Sequence, residues 1–192
     1  MKTKLCFATN NAHKLEEIQA ILGDSFELIS LKDINCTEEL PETGNTLEAN
    51  SLEKARYLYD HYQVNCFADD SGLEVYVLGG EPGVDSAHYA GPQRSHADNV
   101  NLLLANLAGK TDRSARFRTV ITLIQNGEMS QFEGSIKGQI ISELRGTEGF
   151  GYDPIFVPEG YGTTFAEMSL AEKGKISHRA KAFEKLVAYL GV

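Results

Sequence analysis

The sequence predicts an α/β fold built on a central mixed β-sheet flanked by helices. Three observations carry that prediction. Short apolar runs alternate with stretches whose apolar residues recur at helical spacing, the pattern of strand–helix units that build parallel sheets. An Asn126-Gly127 dipeptide separates two strand-like runs and signals an antiparallel hairpin in the middle of the chain. No repeat, low-complexity tract or long linker interrupts the 192 residues, so the chain reads as one domain, 1–192. The hairpin region is expected to form a second lobe, giving an elongated, two-lobed molecule.

The elements follow in order. Residues 2–9 read as a strand and 11–22 as an amphipathic helix with Leu15, Ile18, Ile21 and Leu22 on one face. Residues 26–30 form a short second strand. After an irregular polar stretch with Pro41 and Gly44, a second helix starts near Asn45 or Thr46 and runs to about Tyr62, with Leu47, Ser51, Ala55, Leu58, Tyr59 and Tyr62 inward. Asn45 and Glu48 stand at capping-box spacing. Residues 65–68 read as a buried strand ending in an Asp69-Asp70-Ser71-Gly72 turn, followed by a separate strand over 73–78. A helix spans 95–107 with Val100, Leu103, Leu104 and Leu107 inward. The hairpin pairs 117–125 with 129–136, and Ile140-Ile141 is a further short strand. A glycine-flanked loop at 149–154 precedes a strand at 155–157. Helix returns at 169–173, and a last helix runs from about Ser177 to Leu190 with Ala182, Leu186 and Leu190 on one face.

Composition narrows the function. A net charge of −9 argues against a nucleic-acid polymer or an anionic membrane as the main partner. No apolar run approaches a transmembrane span and no secretory signal precedes the first strand. Three widely spaced cysteines, Cys6, Cys36 and Cys66, lack metal-ligand spacing. Cys6 and Cys66 lie in apolar runs and read as buried free thiols, and the expected compartment is the cytoplasm.

Three polar clusters carry chemistry. At the first strand–helix junction, Asn10 or Asn11 can cap the helix, whose N-terminus and dipole favour an anion. Thr9, Asn11 and Lys14 add a hydroxyl, an amide and a cation, which outlines a phosphate site; a well-capped connection with a solvated lysine fits the same residues. Asp69 and Asp70 are neighbours on a strand, so their side chains point to opposite sides. One is expected to reach a ligand and the other to brace a loop or cap a backbone N–H. Glu42 lies outside the second helix, and one carboxylate from its loop with one from the strand can share a hydrated Mg²⁺. Glu48 is accounted for as a cap, and Lys54 as a solvated side chain or a phosphate contact. In the third cluster, Phe150 and Tyr152 offer rings to a nucleobase and Asp153 an acceptor; core aromatics in a structural turn account equally for Tyr152. Lys173, Lys175, His178 and Arg179 place positive charge at the start of the last helix, against its dipole, as though something anionic or oxygen-rich sits there; a solvated basic patch accounts for the same residues and is the better reading of a charge run on local grounds.

Taken together, these segments resemble the inosine triphosphate pyrophosphatase family of nucleoside-triphosphate pyrophosphatases. The family pattern Thr-Gly-Asn-x-x-Lys-x-x-Glu is met by Thr9, Asn11, Lys14 and Glu17, with Asn10 in place of the usual glycine. Glu-Thr-Gly-x-Thr-x-x-x-Asn is met from Glu42 to Asn50. Ala-Asp-Asp-Ser-Gly-Leu is met in full by residues 68–73, as are Phe-Gly-Tyr-Asp-Pro by 150–154 and Ser-His-Arg by 177–179. Asparagine tolerates positive φ, so the departure at Asn10 is mild.

The resemblance implies a two-lobed fold with a cleft between the lobes, and a homodimer. It implies that Asp70 binds metal and holds the catalytic-base position, that Glu42 helps hold the metal, and that Mg²⁺ is the cofactor. It implies substrate contacts by Thr9, Asn10, Asn11, Ala12, His13, Lys14, Ser71, Phe150, Gly151, Tyr152, Asp153, Lys173, His178 and Arg179. The expected reaction is hydrolysis of deaminated purine nucleoside triphosphates (ITP, dITP, XTP) to monophosphate and pyrophosphate, which cleanses the nucleotide pool. The absence of a G-x-x-x-x-G-K-[ST] run excludes a P-loop mechanism. Rival readings are a pyrophosphatase for other modified nucleotides, such as pyrimidine triphosphates, a non-catalytic nucleotide sensor, and a dimerisation domain without a ligand.

Overall fold

A computed structural model describes residues 3–22 and 26–191. In chain order the elements are β1 (Thr3–Phe7), α1 (Ala12–Leu22), β2 (Phe26–Ile29), α2 (Leu47–Tyr62), β3 (Cys66–Val75), α3 (His96–Asn106), β4 (Ser114–Gln125), β5 (Glu128–Ile140), β6 (Phe156–Pro158), α4 (Leu170–Ile176) and α5 (His178–Leu190). The strands form one six-stranded sheet in the order β2-β1-β3-β4-β5-β6. β1 runs parallel to β2 and β3, while β6 runs antiparallel to β5, so the sheet is mixed as the sequence predicts.

The described residues group into two compact units. One holds those up to Asp70, Thr119–Gly134 and those from Arg179 onward; the other holds Ser71–Arg118 and Ser135–His178. In the first unit, strand alternation sorts side chains to the two faces of the sheet. Leu5, Phe7, Phe67, Ile121 and Leu123 face one way and pack with Ile18 of α1 and Ala182, Phe183 and Leu186 of α5. Cys6, Ala8, Cys66, Ala68 and Ile124 face the other way and pack with Ala55 and Leu58 of α2. Phe7 and Phe67 stack at 4.6 Å, and Phe183 meets both rings edge-on at 6.5 and 5.3 Å. All three cysteines are buried free thiols, and burial pushes the Cys6 and Cys66 thiols up to about 12.

The second unit has its own core. Leu73 and Val75 of β3, Val100 and Leu103 of α3, and Ala115, Phe117, Ile136 and Ile140 of the hairpin surround Tyr152, Phe156 and Phe165. Asn99, buried in α3, accepts from the Ala90 N–H at 2.8 Å and donates to the Ala87 carbonyl at 3.0 Å, which satisfies an otherwise costly buried backbone.

The structure corrects four sequence expectations. β3 is one ten-residue strand that runs straight through Asp69-Asp70-Ser71-Gly72, where a turn is expected. Local turn chemistry yields because both faces of the strand are occupied: cations meet the carboxylates, and β4 lies alongside. The hairpin is longer than expected because Ser114, Arg116 and Arg118 alternate with inward Ala115 and Phe117, and Arg116 and Arg118 share Glu74 at 2.5 and 3.4 Å. β5 accordingly absorbs Ile140, which is not a separate strand. The cap of α2 is Thr46, whose hydroxyl accepts from the Ala49 N–H, so Asn45 and Glu48 form no capping box. The hairpin turn itself is as the dipeptide dictates, with φ of 52° at Asn126 and 85° at Gly127, both positive as a type I′ turn requires.

Phe183 closes the aromatic cluster and is 1 % exposed. Phe183→Ala is expected to cost about 3–5 kcal/mol in urea unfolding. A loss below about 1 kcal/mol would show that the cluster does not hold α5 to the sheet.

Candidate active site

β1 ends at Phe7, and the chain turns into α1 within four residues. Asn11 makes that turn: its Oδ1 accepts from the His13 and Lys14 N–H groups at 3.0 and 3.3 Å. The Thr9 hydroxyl accepts from the Asn11 N–H at 3.1 Å. Of the two asparagines, Asn11 is therefore the cap. Asn10 does not adopt positive φ, so nothing in this turn demands the glycine it replaces. Asn10, Ala12 and His13 are exposed at this corner, beside partly exposed Thr9 and Asn11.

Lys14 points from α1 to the acidic strand. Its ammonium lies 3.1 and 3.0 Å from the two carboxylate oxygens of Asp69. Arg179 of α5 approaches the same carboxylate at 3.6 Å and pairs with Glu17 of α1. Asp69, Glu17 and Arg179 are all buried. Burial alone would raise the Asp69 carboxyl, but Lys14, Arg179 and Lys54 together hold it down at about 2. Burial pushes Lys14 below its ordinary value; Asp69 opposes this, while Lys54 and Arg179 reinforce it. Asp69 thus braces cations, where a loop or a backbone N–H was expected. At Arg179 the offsetting anions include Glu17 and Asp69 of the protein itself.

Asp70 faces the other side of β3, toward α2. Asn50 donates to its Oδ2 at 3.1 Å, and the Lys54 ammonium lies 3.9 Å from its Oδ1. Lys54 is buried, not solvated; it also pairs with Glu42 and donates to the Asp69 carbonyl at 2.7 Å. Burial opposes the Lys54 charge, yet Asp70, Glu42 and Asp69 together raise its pKa. Asp70 moves opposite to its neighbour: burial, reinforced by Glu42, outweighs the two lysines and Asn50, and its carboxyl is raised. Two adjacent aspartates thus shift in opposite directions, Asp69 down and Asp70 up.

Glu42 and Asp70 flank one ammonium, and the Glu42 side chain is 35 % exposed. Among the described residues, no three His, Cys, Asp or Glu side chains gather into an all-protein metal cage. A pair of hard carboxylate oxygens suits Mg²⁺, which takes one or two carboxylates and completes its octahedron with water and phosphate oxygens. Ser71 follows on β3 and is partly exposed.

In the second unit, Asp153 is buried, and its Oδ2 accepts from the Phe150 N–H at 2.9 Å and the Lys173 ammonium at 2.8 Å. Lys173 also sits 5.1 Å from the Phe150 ring centre and 5.3 Å from that of Phe165. The Gly151 N–H lies 3.4 Å from His96 Nδ1. Tyr152 is 4 % exposed and donates its hydroxyl to the Ser86 carbonyl at 2.8 Å, so it is a core aromatic; the half-buried Phe150 is the ring with a face to offer. His178 stacks on Phe117 at 4.8 Å. His178 therefore lies with the aromatic residues of this unit, while the adjacent Arg179 turns to Glu17 and Asp69 of the other.

Sequence reasoning singled out most of these residues but missed the supporting ones. Glu17 and Asn50 carry no role in it, and Lys54 only an ambiguous one. The signal was present. Lys14 and Glu17 share the helical stripe of Ile18, and Asn50 and Lys54 that of Leu47 and Leu58. Polar residues on a stripe that must be buried require partners.

Known proteins resemble this chain along nearly its whole length. The Ham1 family model matches residues 5–189. A dITP/XTP pyrophosphatase of Flavobacterium psychrophilum is 52% identical over 186 residues, covering 97% of this chain and 98% of that protein. That of Christiangramia forsetii is 51% identical over 187 residues with the same coverage. A solved structure, the Ham1 protein of Staphylococcus aureus, superposes with a TM-score of 0.89 at 37% identity, covering 98% of each chain.

The two aspartates are expected to respond unequally to neutralisation. A depressed carboxyl contributes stability above its unfolded pKa near 3.8, and that contribution is lost as pH falls toward about 2. Asp69→Asn should therefore cost about 2 kcal/mol or more at pH 7. Asp70 is raised, so its own ionisation adds no such stability, and Asp70→Asn should lower the melting temperature less than Asp69→Asn does, through the partner that the buried Lys54 loses. Equal losses in the two variants would contradict the division of roles.

Proposed function

The chain belongs to the Ham1 family, and on that premise we propose that it hydrolyses dITP and XTP, together with ITP, to the monophosphate and pyrophosphate with Mg²⁺ as cofactor. The observation that carries the proposal is the opposite setting of Asp69 and Asp70 on one strand. Asp69 anchors Lys14 at the first helix start, and Asp70 stands with Glu42 around Lys54. Its relatives in Flavobacterium psychrophilum and Christiangramia forsetii are dITP/XTP pyrophosphatases, and it matches them over 97% of its length.

In this reading Thr9, Asn10, Asn11, Ala12 and His13 present the N-terminal end of α1 to the phosphate chain, and Lys14 supplies the cation. Glu42 and Asp70 would hold Mg²⁺, which would supply charge neutralisation for the phosphates and a site to orient water. Asp70, a poor proton acceptor when bound to a metal ion, would position the water for in-line attack on the α-phosphorus. Lys54 exchanges part of its hold on Glu42 and Asp70 for phosphate oxygens. Ser71 contacts the substrate next to Asp70.

Base choice rests on other residues. Phe150 stacks on the base, held in place by Asp153 and Lys173. His178 donates to the 6-oxygen, which hypoxanthine and xanthine carry and adenine does not. Arg179 contributes through its backbone, because its guanidinium serves Glu17 and Asp69. Adenine's 6-amino group would leave a donor facing a donor, which costs about 1–3 kcal/mol per unpaired group. Guanine is rejected at its 2-amino group. The protein works as a cytoplasmic homodimer that removes deaminated purine nucleotides; its three buried reduced thiols suit a reducing compartment.

Pyrophosphate release from ITP, XTP, dITP, GTP and ATP, with an Asp70→Asn control, tests the proposal. Turnover of the first three, little of GTP or ATP, and none by the control is expected. Orthophosphate as the product would overturn the mechanism. GTP turned over as fast as ITP would overturn the base assignment, and tight ITP binding without turnover would make the protein a sensor.

A further inference from the structure

The loop that carries Glu42 is tied to α2 at three successive residues. Lys54 pairs with Glu42. Glu53 accepts from the Thr43 N–H at 2.7 Å and from its hydroxyl at 2.8 Å. Asn50 accepts from the Gly44 N–H at 2.8 Å. The side chain at 44 is absent for a reason. A Cβ there would stand 2.6 Å from the Ala49 Cβ and 2.9 Å from the Asn50 Oδ1, so only glycine lets the loop close onto the helix. Asn50 does one thing more: its amide nitrogen donates to Asp70 at 3.1 Å. One buried amide therefore joins the backbone of the Glu42 loop to the carboxylate of Asp70.

We infer that Asn50 and Glu53 are positioning residues that set the spacing and orientation of Glu42 and Asp70 as a divalent-cation pair. The inference rests on the reading of those two carboxylates as the metal-binding groups. Asn50 can serve both partners only in one orientation, oxygen toward Gly44 and nitrogen toward Asp70, and this leaves Asp70 Oδ1 turned toward Lys54 and Glu42. Glu53 fixes the loop one residue nearer Glu42 and touches neither Asp70 nor the first strand–helix turn in the contacts described. Groups that orient metal-binding carboxylates act on metal affinity more than on nucleotide affinity.

The test uses the full chain. Mn²⁺ binding is titrated by electron paramagnetic resonance for the wild type, Asn50→Ala, Glu53→Ala and Glu53→Gln. In parallel, Mg²⁺ half-saturation and the KM for ITP at saturating Mg²⁺ are measured. Asn50→Ala and Glu53→Ala should each weaken Mn²⁺ binding and raise Mg²⁺ half-saturation about 10–100-fold. KM for ITP should change by less than about threefold, with turnover recovering at high Mg²⁺, because nucleotide contacts remain. Glu53→Gln keeps an oxygen for the Thr43 N–H and should recover most of the loss. Glu53→Ala decides the matter should the buried Asn50 variant fail to fold. Unchanged Mn²⁺ affinity in a folded Glu53→Ala, or a loss confined to KM for ITP, overturns the inference while leaving the metal reading intact. A wild type that binds no Mn²⁺ and turns over ITP without a divalent cation overturns both.

Discussion

Strand geometry imposes the constraint on which the site is built. Successive residues of a β-strand face opposite sides of a sheet, so Asp69 and Asp70 cannot share an environment. Asp69 is delivered to the layer that holds α1 and α5 and meets Lys14 and Arg179 there. Asp70 is delivered to the layer that holds α2 and meets Asn50 and Lys54. The same alternation fills the preceding positions with Phe67 on the first side and Cys66 and Ala68 on the second, which bury the strand and fix its register. A shift by one residue would bring the apolar set to the wrong layers and exchange the roles of the two carboxylates.

Burial of so many charges is tolerable only because each has partners. Glu17, Arg179, Asp69 and Lys14 form a continuous chain of opposite charges, and Glu42, Lys54 and Asp70 form another. An isolated buried ion costs several kcal/mol, and a hydrogen-bonded network offsets most of that. The two chains differ in accessibility. The first is mostly buried, with Lys14 partly exposed at its end, whereas the second includes a carboxylate that is one-third exposed. An acidic protein thus assembles local cations, each chain reaching the surface at one member.

Much of this was legible in the sequence. The strand–helix opening, the hairpin and its turn, and the placement of α2 and α5 follow from periodicity and from Asn126-Gly127. Opposite facing of Asp69 and Asp70 follows from strand period alone. The failures have physical causes. Asp-Asp-Ser-Gly is good turn chemistry, and only the flanking cations and the neighbouring strand make it extended. The pairing of Arg179 with Glu17 and Asp69 was not legible because these anions are 162 and 110 residues away in sequence. Asn50 and Glu53 escaped notice because their partners lie in an irregular loop with no periodicity to place it.

Isotope labelling shows which phosphorus is attacked. Single-turnover hydrolysis of ITP in H₂¹⁸O places the solvent oxygen on whichever phosphorus water attacks. Label is expected in the inosine monophosphate and none in the pyrophosphate, with no product from Asp70→Asn. Label in the pyrophosphate, or undiminished turnover by Asp70→Asn, would contradict this expectation.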